Sequence, residues 1–282
     1  MAHIEPVLDH AIINVRENLD QATDTFRRLG FSLTPRGHHT LGSSNHLCIF
    51  GENYLELLGY ESAAKRPELA QQPLGLAGLV FKAEDADGVF QALQARGVSA
   101  TAPREFHRPV PTASGMEEAG FRTVNLEAGL VPNGRAFFCH HLTPHLVWQA
   151  EWQAHPNKVN QIAGFAIATE EPARASALYA DMFGSASVTE ERDGTRILAA
   201  GQAKVQFMTP GVAQARFGPG ASPAADGTDR MVALVLRTAS LQAASQALAR
   251  GGVEALTDGA ALLVHAGQAW GCALRFVEEG YL

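Results

Sequence analysis

Short apolar runs of this chain carry side chains that can bind a cation or move a proton. They are His10 in LDHAIINV, His46 in SSNHLCIF, Glu56 in YLELLGY, and His140 with His141 in AFFCHHL. A carboxylate flanked by apolar neighbours is costly to desolvate unless a cation or a hydrogen-bond donor meets it. Glu56 therefore asks for a partner or for an edge position facing water. His10, taken alone, reads as a core histidine that has found a hydrogen-bond partner. Alternation along a strand puts Leu8, His10, Ile12 and Asn14 on one face, and Tyr54, Glu56 and Leu58 on one face of their own strand. His140 and His141 are consecutive and so point to opposite faces, and only one of them can enter a shared cavity.

The elements that would position these residues recur four times. After LDHAIINV comes an amphipathic helix stopped at Gly30, then three β-like runs ending with NYLELLGY. The same order restarts at LAGLVFKA (76–83), at IAGFAIAT (162–169) and at MVALVLRT (231–238). Each helix ends in glycine, as a left-handed C-cap requires. A single strand–helix–three-strand unit leaves a sheet face uncovered, so the units are expected to pair into two domains, residues 6–143 and 160–280. The stretch GVAQARFGPGASPAADGTD (211–229) is rich in Gly, Pro and Ala and reads as an exposed link between the third and fourth units. Trp148 and Trp152, in the connector between the halves, are expected to seal the two domains together.

Composition narrows the partners. The chain has 282 residues, 46% of them apolar, enough for two cores. Lys and Arg number 22 against 29 Asp and Glu, a formal charge of -7, which argues against a surface that tracks nucleic-acid phosphates. No signal peptide and no run long enough to span a membrane is visible, so the expected location is cytoplasmic. Cys48, Cys139 and Cys272 are odd in number and widely spaced, which favours buried reduced thiols over disulfides or a zinc knuckle. The expected partners are a small-molecule substrate and a second copy of the chain in a homodimer.

Paired units of this kind resemble the vicinal oxygen chelate superfamily. The segments LDHAIINV, GSSNHLCIF with YLELLGY, and FFCHHLTPHLVW with EWQAHP are similar to those of its glyoxalase-like domain proteins. The resemblance implies an α+β fold of four βαβββ units paired into two glyoxalase-like domains. It also implies that the first and last strands of a unit put metal ligands into a cup, the places held here by His10 and Glu56. The facing unit has Gly78 where a second first-strand ligand would fall. Its last strand fits the resemblance best through His141, with His140 as the alternative.

The implied set is His10, Glu56 and His141, two imidazoles and a carboxylate suited to Zn, Fe, Mn, Ni or Co. His46 on the neighbouring strand is a candidate fourth ligand or acid/base, and Arg122 a candidate for holding an anionic substrate at the cup mouth. His38, His39 and His107 fall in loops where solvated histidines are normal. The third and fourth units have Gly164 or Phe165, Gln206, Ala233 and Arg275 at the corresponding places, so the second domain is expected to be a degenerate, structural copy. The expected function is that of a metal-dependent lyase or isomerase acting on a small oxygenated substrate. The alternatives are an extradiol-type dioxygenase, whose site the resemblance would place in the second pair of units, and a metal-free, drug-binding type of protein.

Overall fold

The computed structural model describes residues 4–112 and 114–279; residue 280, the expected end of the second domain, lies outside them. The first half runs β1 (Leu8–Arg16), α1 (Leu19–Arg28), β2 (Gly37–His38), β3 (Ser43–Ile49), β4 (Tyr54–Tyr60), α2 (Pro67–Gln71), β5 (Gly75–Ala83), α3 (Ala86–Ala95), β6 (Arg104–Thr112), β7 (Gly115–Asn125) and β8 (Arg135–His141). The second half repeats the plan as β9 (Val159–Ala168), α4 (Pro172–Phe183), β10 (Val188–Glu190), β11 (Arg196–Ala200), β12 (Ala203–Met208), α5 (Pro210–Phe217), β13 (Arg230–Thr238), α6 (Leu241–Arg250), β14 (Leu256–Asp258), β15 (Ala261–Val264) and β16 (Ala273–Val277). Each half makes one eight-stranded sheet, ordered β2-β3-β4-β1-β5-β8-β7-β6 and β10-β11-β12-β9-β13-β16-β15-β14. Within a unit the first strand pairs parallel with the last, while β1 meets β5, and β9 meets β13, antiparallel. This is the four-unit, two-pair α+β architecture that the sequence order requires.

Helices form where apolar residues recur at helical spacing. Leu19, Ala22, Thr23 and Phe26 make the buried stripe of α1. The chain leaves α1 and α3 through Gly30 and Gly97, both at positive φ (84° and 72°), where a side chain would be strained. The helix-side faces of both sheets and the helices share one apolar core, in which Leu8, Ala11, Ile13 and Phe26 lie with Phe165, Phe207 and Phe276. The concave faces carry separate clusters, one per sheet.

Three expectations change here. The register of β1 against β5 sets Leu8 opposite Phe81 and His10 opposite Val80, so Asp9 is an extra residue, a β-bulge. Leu8 consequently faces the helix-side core, while His10, Ile12 and Asn14 keep the concave side, Asn14 Nδ2 donating to the Leu69 carbonyl at 2.9 Å. The Gly/Pro/Ala-rich stretch is not simply an exposed link, because 210–217 is helix α5, which starts on Pro210 and buries Ala213 and Phe217 in the second sheet's concave cluster with Ala166, Ala168, Ala233 and Ala273. Alanines on three strands, β9, β13 and β16, leave the room that this helix fills. Finally, Trp148 and Trp152 do not seal the two halves; they pack on the concave cluster of the first sheet.

Candidate active site in the first cup

The first sheet curls until β6 meets the segment after β2, where Thr40 donates its N–H to the His107 carbonyl at 3.2 Å. The cavity inside this curl is about 290 Å³, at the low end for ligand pockets. Its wall alternates along each strand: Asn45 and Leu47 from β3, Tyr54, Glu56 and Leu58 from β4, Arg104, Phe106 and Arg108 from β6, Phe121, Thr123 and Asn125 from β7, Arg135, Phe137 and Cys139 from β8. His10 of β1 completes the floor. One end is closed by aromatic rings: Tyr54 stacks on His10 with centroids 4.3 Å apart, and Trp148 meets both Tyr54 and His141 edge to face.

Along this floor runs a buried chain of polar groups. His141 Nε2 lies 3.0 Å from both Asp9 oxygens, and His10 Nδ1 lies 2.5 Å from Asp9 Oδ1. Across the floor His10 Nε2 faces Glu56 Oε2 at 3.7 Å, and Asn45 Nδ2 donates to Glu56 Oε1 at 2.6 Å. Burial works to raise the Asp9 pKa, but His141 and His10 outweigh it and hold the carboxyl well below the usual range. Asp9 is therefore an ionised acceptor, so His10 Nδ1 and His141 Nε2 must both carry hydrogens. That assignment frees His10 Nε2 toward Glu56 and leaves His141 Nδ1 buried without a partner.

Glu56 is held below the usual carboxylate range as well: burial opposes this, and His10, His39, Asn45 and Arg135 favour it. Two groups rich in lone pairs, imidazole Nε2 and carboxylate Oε2, thus face each other 3.7 Å apart, an arrangement that a cation between them or a proton on the ring relieves. One ion with bonds of about 2.0–2.2 Å spans that gap. Donor atoms of Asp9, Cys139 and His141 also lie within 4.8 Å of one another and could hold a metal. Burial pushes the Cys139 thiol well up, so a metal in that group would have to displace its proton.

The structure brings His10 and Glu56 together and joins His141 to them through Asp9. His141 is on the concave face, whereas His140 pairs with Arg122 in the register of β7 and β8 and shares the helix-side face with Phe138. Two expected catalytic residues do not reach the cavity. His46 lies between cavity-facing Asn45 and Leu47, so it points the other way, and its Nδ1 donates to the Thr34 carbonyl at 2.7 Å. Arg122, between Phe121 and Thr123, likewise turns outward and grips Asp87 of α3 through two bonds of 2.7 and 3.0 Å. Alternation that admits their neighbours excludes both.

Sequence reasoning passed over Asp9, whose signal was a charge beside His10 in an apolar strand, and set aside His39 as a loop residue. His39 instead lines the cavity, meets Phe106 edge to face and receives Asn45 Nδ2 at 3.3 Å. Burial, aided by Arg108, Arg66 and Arg135, lowers its pKa to about 4, so it is neutral at physiological pH. His38 and His107 stand at the rim beside Glu61 and Glu105.

The sequence pattern of the glyoxalase-like domain matches residues 8–183. A search of curated protein sequences gives no match. Among solved structures, a hypothetical protein from Staphylococcus aureus is similar at a TM-score of 0.67 and 14% identity, covering 96% of this chain and 98% of that one. A mutant of 4-hydroxymandelate synthase from Streptomyces coelicolor is similar at 0.60 and 13%, covering 98% and 93%. A xylose isomerase-like TIM barrel/4-hydroxyphenylpyruvate dioxygenase fusion protein is similar at 0.62 and 12%, covering 100% of this chain and 51% of that one. At these identities the structural likeness speaks for the fold.

Proposed function

The chain belongs to the glyoxalase-like domain family, and from that premise we propose that it is a metal-dependent enzyme of lyase or isomerase type, which moves a proton on a small oxygenated substrate bound in the first cup. The observation that carries this reading is the buried His10–Glu56 pair, 3.7 Å apart on the floor of the cavity. The residues that would hold a divalent ion are His10 and Glu56, with His141 and Asp9 beside them. Such an ion, when bound, supplies Lewis-acid polarisation of a substrate oxygen. Zinc, iron, manganese, nickel and cobalt all suit two imidazoles with carboxylates.

The chain's own groups supply the rest. Asp9 fixes the His10 ring and its tautomer, as a carboxylate behind a ligating histidine does. Asn45 occupies Glu56 Oε1 and leaves the ionised Oε2 turned toward His10 Nε2, free to share an ion with it. Leu47, Leu58, Phe106, Phe121 and Phe137 exclude water around it. The dioxygenase reading, which the name of one structural neighbour raises, would call for a site in the second pair of units. There α5 fills part of the cup, and the hollow that remains presents Gln206 and Arg275.

One observation favours a metal-free binding protein instead: a proton on His10 Nε2 would also relieve the contact with Glu56. Metal analysis of protein purified without added metal, before and after chelator, separates the two. The expected result is near-stoichiometric metal in the wild type, in His46→Gln and in Arg122→Ala, with a loss of metal affinity in His10→Ala and Glu56→Gln larger than the roughly 10- to 100-fold that an outer-shell change costs. Equal metal content in all of them, or none in the wild type after metal is supplied, removes the enzyme reading.

A further inference from the structure

The same cavity holds a second set of groups that the proton-transfer chemistry does not use. Four arginines line it, Arg66, Arg104, Arg108 and Arg135, against two glutamates, in a chain whose net charge is -7. Arg66 is engaged, to Glu68 and to Ser43 Oγ. Arg108 is not. It is 2% exposed, it makes no ion pair among the described residues, and its Nε and Nη2 hydrogens are buried without an acceptor. Arg135 is similar: its Nε is buried and unpartnered, and its guanidinium lies over the Phe137 ring, Cζ 5.2 Å from the centroid.

Burying guanidinium donors with nothing to receive them is unfavourable, which is why such groups are ordinarily paired. The second cup shows the ordinary arrangement in the same fold. There Arg275 meets Asp258 and Arg216 meets Asp193, so each arginine of that hollow has its carboxylate. Arg108 in the first cup is also accommodated by a glycine: a Cβ on Gly37 would lie 2.4 Å from Arg108 Cδ and 2.6 Å from Nη1. The backbone of β2 thus leaves space for a side chain that no carboxylate among the described residues pairs with directly.

Building on the reading of this cup as a substrate site, we infer that the substrate is a small organic anion whose carboxylate is held by Arg108 and Arg135, with its apolar body against Leu47, Leu58, Phe106 and Phe121. A planar guanidinium presents two parallel N–H groups that match a carboxylate. Leu41, Leu47, Leu58, Phe106, Phe121 and Phe137 give the wall an apolar part, which suits a carbon skeleton better than a bare inorganic ion. The role assigned from the sequence to Arg122 thereby passes to two residues that do face the cavity.

The test is calorimetric titration of the full chain with benzoate, with benzyl alcohol as its uncharged counterpart and with inorganic phosphate. Benzoate is expected to bind, with benzyl alcohol weaker by about tenfold or more and a loss of about tenfold or more in Arg108→Gln and Arg135→Gln. Without ligand, Arg108→Gln should unfold at a temperature no lower than the wild type, because it removes an unpaired buried charge; a merely structural arginine would lower it. Metal content measured on the same samples should be unchanged, which separates this inference from the metal assignment. Benzyl alcohol binding as tightly as benzoate, full affinity in Arg108→Gln, phosphate binding with benzoate rejected, or no binding of benzoate at millimolar concentration would each overturn it.

Discussion

Replacing Asp9 by asparagine keeps the size of the side chain and removes only its charge. In the protein that carboxylate takes hydrogens from His10 at 2.5 Å and from His141 at 3.0 Å, and it is fully buried. Hydrogen bonds to a charged group are worth about 1.5–3 kcal/mol each. Removing one member of a buried charged network costs about 3–5 kcal/mol. Asparagine retains one acceptor oxygen but turns an NH₂ toward imidazole N–H groups, so a loss of about 3–4 kcal/mol is expected for Asp9→Asn. Urea unfolding in the presence of chelator reads this without a contribution from bound metal. His141→Phe added to Asp9→Asn should cost little further, because the coupling between them is already lost.

Acid should mimic the substitution. The Asp9 carboxyl is held below its ordinary value of 3.8, so its stabilising contribution is complete above that value and is lost as pH falls toward the lower folded pKa. The wild type's advantage over Asp9→Asn should therefore shrink in that acid range and nowhere above it. A variant within about 1 kcal/mol of the wild type at neutral pH would refute the view that Asp9 ties the floor of the cup together.

Two further outcomes are expected. Phe217→Ala, which empties the middle of the second cup, should cost about 3–5 kcal/mol in denaturant unfolding while leaving the metal content and benzoate affinity of the first cup unchanged. His39, whose folded pKa of about 4 lies below its unfolded 6.5, binds fewer protons in the folded state between those values, so stability should fall as pH drops from 6.5 to 4. At pH 5 the wild type should lose about 1 kcal/mol more than His39→Gln relative to pH 7, after allowance for partial exposure, and parallel urea midpoints in the two proteins would contradict this.

The repeat was legible because element order and helix-stopping glycines survive where sequence identity does not. His10 and Glu56 were legible for a physical reason: polar groups in apolar strands must be met by something. Asp9 was hidden by the bulge, since a strict two-residue period assigns Leu8 to the face of His10, and one extra residue breaks that assignment. His46 and Arg122 went astray because facing depends on register. Once His141 is inward and opposite Phe121, and His140 opposite Arg122, Arg122 must face out. His39 depends on the contact between Thr40 and His107, residues far apart in sequence whose meeting no local pattern announces. The α5 helix was concealed by its composition, since glycine and proline at its borders made the whole stretch look like a linker.

The α5 helix also fixes how the molecule will answer an experimenter. Its second cup contains an occupant encoded in the same chain, joined by only a few residues to β12, so a dissolved compound competes there against a tethered neighbour that never diffuses away. Ligand titrations of the intact protein should accordingly saturate at one equivalent per chain despite the doubled architecture. A mutational survey should divide in the same manner, with lesions in the second cup appearing as loss of yield and lesions in the first as loss of affinity in a protein that still folds.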